Sequence, residues 1–367
     1  MPRLMAWYAG AVGALGMLPF LAVRLTDAGF SDSAATALLV LLPLGTLFGG
    51  PAWSWWVDHT GRARSTLTAA LALSALAVAA LIPDNPAIMV GAMALFAIAR
   101  APIFPLADAL TVRHLGARYG IVRAVGSIAY IGVVLSSGAL REWWEPWPVA
   151  LAVALLVAAA LITPSLPGPP QTRPPSRAQW LELVASPAVR LLLVVAFLNG
   201  LSLTTYDHLF TLHMERSGVS AWVSGCAVAW GVTIEVMVMF AGPRLLRRFG
   251  ATSLLVFATA SGIPRFAITA LAIDQPLIVA AAQGLHGFQF GVFWIAAIHH
   301  MARLAPPNLS RSAQSLLPAT GFGLATLCSL GTSAVWLSVG STRALFAALL
   351  IPAALATAAA ALLKRTR

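Results

Sequence analysis

Long apolar stretches, separated by short polar or Pro/Gly segments, run the whole length of the chain. Twelve of them occupy residues 4–24, 34–57, 65–83, 87–108, 121–140, 147–164, 188–210, 219–242, 251–273, 276–301, 312–338 and 343–363. A helix needs about 20 mostly apolar residues to cross a hydrocarbon core about 30 Å thick, and each stretch is close to that length. The pattern predicts an all-α membrane protein with twelve transmembrane helices.

The polar segments divide the chain further. The longest, 164–187, is Pro-rich and reads as an extended linker. It gives a first six-helix bundle at 1–164, a linker at 165–187 and a second six-helix bundle at 188–367. The two halves echo each other. Asp58-His-Thr-Gly61 follows the second span and Arg247-Arg-Phe-Gly250 the eighth, an offset of 189, while Arg123 opens the fifth span and Arg311 the eleventh, an offset of 188. A near-constant offset predicts two parallel, pseudo-symmetric repeats with substrate bound between them.

Composition agrees with a membrane solvent. The chain is 59% hydrophobic and 10% charged, with 29 Gly and 24 Pro, whereas a soluble globule carries roughly 25% charged residues. The net charge of +11 raises the question of nucleic acid, and the distribution of the basic residues answers it. With the N-terminus placed in the cytoplasm, seventeen Arg and Lys fall on the cytoplasmic side against Arg24, Arg141, Arg216 and Arg343 on the other. That asymmetry is a topology signal, and nucleic acid is not required. Both termini are expected in the cytoplasm, in a bacterial inner (plasma) membrane, with a monomer in the lipid bilayer. Trp143, Trp144 and Trp147 gather at the outer boundary and Trp53, Trp55 and Trp56 at the inner one, as aromatic belts do. No cleavable signal peptide is expected, because the first apolar stretch is too long and lacks a small-residue cleavage site before Arg24. Cys226 and Cys328 lie inside apolar runs, where they form neither a disulfide framework nor a metal-ligand spacing.

The loop between the second and third spans reads Asp58-His-Thr-Gly61-Arg62-Ala-Arg64. It resembles the D-x-x-G-R-[RK]-[RK] motif of the major facilitator superfamily. Gly permits a tight turn, Asp accepts hydrogen bonds at a helix end, and Arg anchors at headgroups. Ser54 stands where that family usually has Gly, which is expected to loosen the packing of the second span. A narrower resemblance covers most of the chain. Leu106-Ala-Asp108-Ala-Leu110, Tyr119-Gly120-Ile-Val-Arg123-Ala-Val-Gly126-Ser127, Glu235, Arg265, Leu285-His286-Gly287-Phe288-Gln289-Phe290-Gly291 and Arg311 with Gln314 are similar to the 3-phenylpropionate-transporter-like branch. That branch is distantly similar to the oligosaccharide:proton symporters. The resemblance implies the major facilitator fold, no cofactor, a proton as coupling ion, and a Glu–Arg–His set at Glu235, Arg265 and His286 for substrate and proton. Gln289 replaces a Glu of lactose permease and cannot take and release a proton as that residue does.

Ionisable groups inside a span cost roughly 2.5–3.5 kcal/mol on insertion scales, so they face partners or water. Glu235 lies among apolar neighbours that disfavour its charge, and a nearby cation would favour it, as suits a group that cycles a proton. Arg265 lies about 21 Å into its span at 1.5 Å per residue. Its fork suits a carboxylate, from Glu235 or from an anionic substrate. Two roles fit the pair: a fixed ion pair between the eighth and ninth spans, or a substrate and proton site. His286 falls near mid-membrane, flanked by Gln283 and Gln289, and serves as a structural hydrogen-bonder or as a ligand group. Trp294 and Phe290 fit either packing or stacking on a substrate ring. Asp108 and Arg123 fit a cytoplasmic gate latch or a plain tie between helix ends. Asp207 and His208 fit an outer gate or a solvated interface.

No nucleophile elbow, zinc-helix motif or phosphate loop occurs, so catalysis is not expected. His299 and His300 point about 100° apart on a helix and are poorly placed as joint metal ligands. The expected function is secondary active transport of a small organic solute (an organic acid, sugar or nucleoside) by alternating access and proton symport. Proton-coupled efflux of apolar compounds, and a receptor or scaffold that does not transport, are the alternatives.

Overall fold

The computed structural model describes residues 1–107, 119–166, 185–305 and 310–365, and every regular element among them is helical. The first six helices are α1 (Pro2–Asp27), α2 (Asp32–Thr60), α3 (Ala63–Ala79), α4 (Pro86–Ala107), α5 (Tyr119–Leu140) and α6 (Trp147–Ser165). The second six are α7 (Pro187–Arg216), α8 (Ala221–Phe249), α9 (Ala251–Leu271), α10 (Pro276–Leu304), α11 (310–336) and α12 (Thr342–Lys364). Ten of these are long and apolar enough to cross a membrane. The other two are α3, an apolar helix of 17 residues, and α11, which carries a π-helical turn at Ala319–Leu324. The twelve apolar stretches of the sequence thus each form a helix. Most of the expected linker and Asp108 lie outside the described residues.

Local chemistry sets the helix ends. Ser31 Oγ accepts from Ala34 N–H at 3.2 Å ahead of α2, and Asn85 Oδ1 accepts from Ala87 and Ile88 N–H ahead of α4. Both satisfy backbone donors that a first helical turn leaves without partners. Two helices run past their apolar stretches. At the end of α7, Thr211 to Met214 remain buried because their polar groups find partners. His213 Nε2–H donates to Thr269 O at 3.2 Å, Thr342 Oγ1 donates to His213 Nδ1 at 3.0 Å, and Phe346 stacks on the imidazole. At the end of α8, Arg244, Arg247 and Arg248 carry the helix to Phe249 with long side chains suited to a headgroup layer.

Every positive-φ residue among those described is a glycine: Gly29, Gly61, Gly218 and Gly250. They turn the chain between α1 and α2, α2 and α3, α7 and α8, and α8 and α9. Gly29 and Gly218 are 189 residues apart, and so are Gly61 and Gly250. The same offset links Ser31 to Ser220, whose Oγ faces Val223 N–H at 3.5 Å. Positive-φ glycines thus recur at the offset of the internal repeat, although Gly61 has ψ 7° and Gly250 ψ 153°.

The chain divides into two compact units, one of Met1–Thr172 with Ser220–Ala229, the other of Arg173–Val219 with Trp230–Arg367. In the first, α1 packs between α5 and α6, and α3 lies against α4 and α6. Its core includes Trp7, Tyr8, Phe20, Leu71 and Met93, and Trp7 Nε1–H donates to Thr163 Oγ1 at 2.9 Å. Two arginines of the sparsely basic face are tied down here. Arg24 pairs with Asp84 at 2.6 Å and also donates to Leu81 and Ile82 carbonyls, while Arg141 pairs with Asp27 at 2.6 Å. In the second unit, α7, α9, α10 and α12 enclose a core that includes Leu192, Leu255, Phe293, Met301 and Ala360. Arg343 there donates to Ala270 O near the end of α9.

Candidate functional site

Arg265 is the centre of a polar cluster inside the second unit. It sits on α9 one residue after Pro264 and is fully buried. Its Nε–H donates to Gln283 Oε1 at 2.9 Å and its Nη1–H to Gln289 Oε1 at 2.8 Å. The guanidinium also lies 3.7 Å above the ring of Tyr206 on α7, within reach of the attraction between a cation and an aromatic face. The two amides are held in turn. Gln283 Nε2–H donates to Thr269 Oγ1 and Val279 O, and Gln289 Nε2–H to Asn199 Oδ1 and Ser202 Oγ.

The irregular path of α10 brings both amides to one arginine. The helix runs regularly to Ala282, turns at Gln283 and Gly284, and then makes a π-helical segment at Phe288–Val292. On a regular α-helix Gln283 and Gln289 are six residues and roughly 120° apart in angle. The i→i−3 turns over Ala280–Gly287 overwind the helix ahead of Gln289 and narrow that separation, and the long amide side chains span the rest. π segments of this kind recur at functional sites. The glycines make room for it. A Cβ at Gly287 would stand 2.5 Å from Glu235 N, and one at Gly262 would stand 2.8 Å from Gln289 Nε2.

Glu235, on α8, faces α10 with its side chain only 13% exposed, and His286 Nε2 lies 3.7 Å from its Oε2. Arg265 thus meets two neutral amides, and the carboxylate meets the imidazole. His286 in turn belongs to a row of rings. Its ring centroid is 5.4 Å from that of Tyr206 and 5.6 Å from that of Phe290, which it faces at 13°. Phe290 then touches Phe322 of α11 at 5.7 Å, and Phe322 stacks on Trp294 at 4.8 Å. Four buried polar atoms along this wall have no hydrogen-bond partner: Arg265 Nη2, Tyr206 Oη, His286 Nδ1 and Trp294 Nε1. Buried polar atoms are normally bonded, so four along one wall set this cluster apart.

Tyr206, Asn199, Ser202 and Phe322 are the members that the sequence reading missed. A signal existed for three of them: Asn199, Ser202 and Tyr206 recur at spacings of three and four, which puts them on one face of a helix. Asp207 and His208 follow Tyr206 on α7 and are half-buried, and His208 Nδ1 bonds Thr204 O at 2.9 Å.

The loop motif is in the first unit, apart from this cluster. Gly61 takes a left-handed conformation and its N–H bonds Val57 O at 2.8 Å, ending α2 as the tight turn requires. Asp58, Arg62 and Arg64 are exposed. Ser54 returns its hydroxyl to Gly50 O at 3.0 Å, and no residue of Gly50–Thr60 is buried. Arg123 is exposed near the start of α5, Asp108 lies outside the described residues, and so does the side chain of Arg311. Among the described residues no group of three or more His, Cys, Asp and Glu is placed to hold a metal ion.

The MFS_1 like family model matches residues 4–348. The chain belongs to that family of major facilitator transporters. It is 33% identical over 331 residues to a maltose permease of Geobacillus stearothermophilus, covering 87% of this chain and 83% of that one. A transporter of Bacillus subtilis (strain 168), YwbF, is 22% identical over 320 residues, covering 85% and 80%. In fold it resembles a mutant form of the nucleoside transporter NupG, at 14% identity and a TM-score of 0.84 over 99% of this chain and 100% of that one. The protein is a multi-pass integral membrane transporter, and it moves small solutes as a secondary carrier.

Proposed function

We propose that this transporter takes up a sugar, of mono- to oligosaccharide size, together with a proton. The observation that carries the reading is the row of four unpartnered buried polar atoms along an aromatic wall. A pyranose has both surfaces such a wall needs: hydroxyls for Arg265, Tyr206 and His286, and an apolar C–H face for Phe290, Trp294 and Phe322. The 33% identity to a maltose permease supports the same class. An apolar solute for efflux would leave all four polar atoms without partners, at a cost of about 1–3 kcal/mol each.

In this reading Arg265, Gln283 and Gln289 hold the sugar, and the Glu235–His286 pair carries the proton. Gln289 cannot ionise, so the coupling step rests on Glu235. The bundles at 1–164 and 188–367 alternate access about the linker 165–187. Asp58, Gly61, Arg62, Arg64, Asp108, Arg123 and Arg311 serve the gate at the cytoplasmic side, with both termini on that side. Asp207 and His208 line the path to the other side.

A thermal-shift screen of the purified protein against maltose, glucose, nucleosides and aromatic acids tests the substrate class. Stabilisation by a sugar, lost in Arg265→Ala, is the expected result. Stabilisation by an aromatic acid alone would replace the sugar with an anion at the same arginine.

A further inference from the structure

The first unit carries a cavity system, remote in sequence from the Arg265 cluster. A cavity of about 690 Å³ lies at the loop between α2 and α3, with Arg62, Arg64, Ser65 and Thr68 among its lining residues. A second, of about 510 Å³, continues from it between α3 and α6 and is lined by apolar residues such as Ala75, Leu76, Val157 and Leu161. The two share Thr68, Ala72 and Pro164, so they form one continuous trough.

Chemistry changes along its length in one direction. The mouth has two exposed guanidinium groups, and no acidic side chain lines either cavity. Arg62 and Arg64 make no ion pair among the described residues. Beyond Thr68 the walls are Ala, Val and Leu. Leu76 and Leu161 remain 62% and 77% exposed, which suits side chains that meet hydrocarbon. Thr68 and Ala79, at the two ends of the apolar stretch, are 11 residues apart on one helix, or roughly 17 Å at 1.5 Å per residue. One leaflet of a bilayer is about 15 Å deep, half of a ~30 Å core.

We infer that this trough is a binding site for a single phospholipid with an anionic headgroup, drawn from the leaflet that meets the Asp58–Arg64 loop. The headgroup phosphate bridges Arg62 and Arg64, with Ser65 and Thr68 as hydroxyl donors. One acyl chain lies on the alanine floor of α3, against Val157 and Leu161 of α6. A bound lipid there braces α3 against α6 and ties the turn at Gly61 to the membrane surface. The loop motif thereby gains a ligand of its own, separate from the transported solute.

Native mass spectrometry of the full chain in detergent tests this. The probes are phosphatidylglycerol, phosphatidylcholine with the same acyl chains, and inorganic phosphate. The expected result is one phosphatidylglycerol per protein, bound more tightly than phosphatidylcholine, with no competition from inorganic phosphate. Arg62→Gln with Arg64→Gln should weaken phosphatidylglycerol binding about 25-fold, at about fivefold per arginine near a charged surface. Ala72→Phe should also weaken it, by filling the junction of the two cavities while leaving both arginines in place. All three side chains are exposed, so these variants fold. Equal binding of phosphatidylglycerol by wild type and the double variant would overturn the site, as would equal affinity for phosphatidylcholine. Full competition by inorganic phosphate would reduce it to an anion site without a lipid. A dimer that Ala72→Phe abolishes would assign the trough to a second copy of the chain.

Discussion

A fully buried arginine in a membrane span needs several partners at once, and Arg265 obtains them from two other helices, α7 and α10. Both of its hydrogen-bond acceptors are neutral, and its charge is answered by dipoles, by the Tyr206 and Phe266 rings and, at longer range, by Asp207. In the proposed function a sugar hydroxyl at Nη2 completes the set. Removing the guanidinium leaves two buried amide oxygens without a donor. Arg265→Ala is therefore expected to lower stability, at about 1–3 kcal/mol per unsatisfied group, and to weaken sugar binding about 10- to 100-fold. Titration of the ligand-induced melting shift reads both. Arg265→Lys should recover little, because a single ammonium cannot bridge two amides as a planar fork does. Glu235 is expected to behave differently. Glu235→Gln keeps a hydrogen-bonding side chain beside His286 and removes the ionisable proton site. Uphill accumulation should be lost while exchange of labelled for unlabelled sugar persists, and full accumulation by this variant would remove Glu235 from the coupling step. These positions were legible in the sequence, because ionisable and amide side chains are rare in apolar spans. Tyr206 was not. A tyrosine in an apolar stretch looks like packing until the neighbour across the bundle is known, and that neighbour is 59 residues away.

At the scale of elements, α10 departs most from regularity and contributes most to the site. Helical periodicity alone turns Gln289 away from Gln283. The i→i−3 turns over Ala280–Gly287 bring it part of the way back, and nothing in a hydrophobic pattern announces a tightened turn. Helix existence and length were readable for the opposite reason, since bilayer thickness fixes them. The close crossing of α8 and α10 depends on Gly287, whose absent Cβ leaves room for the backbone of Glu235. Gly287→Ala is expected to force the helices apart, costing about 1–3 kcal/mol as overpacking does. It should also lengthen the Glu235–His286 contact. The melting temperature in detergent would report the first effect. Loss of coupling with sugar binding retained would report the second, and a variant unchanged in both would show that the crossing tolerates a methyl group.

Across the whole molecule, the repeat that the sequence showed in two loop motifs reappears as paired positive-φ glycines 189 residues apart. Turn chemistry preserves the repeat better than the spans do, because any apolar residue suffices in a span and only glycine suits those turns. The charge asymmetry makes its own claim about orientation. Cysteines at Ser31 and Ser65, introduced after Cys226 and Cys328 are replaced by Ser, lie on opposite sides of the membrane in the proposed topology. An impermeant maleimide added to intact cells should label Ser31→Cys and spare Ser65→Cys; the reverse pattern would invert the protein.

The central claim is that a sugar and a proton share the Arg265–Glu235–His286 cluster. Uptake of radiolabelled maltose into proteoliposomes under an imposed inward proton gradient tests it directly. The account predicts accumulation above the external concentration by wild type, abolished when the gradient is collapsed and in Arg265→Ala. Accumulation that survives collapse of the gradient, or equal uptake by Arg265→Ala, would contradict it.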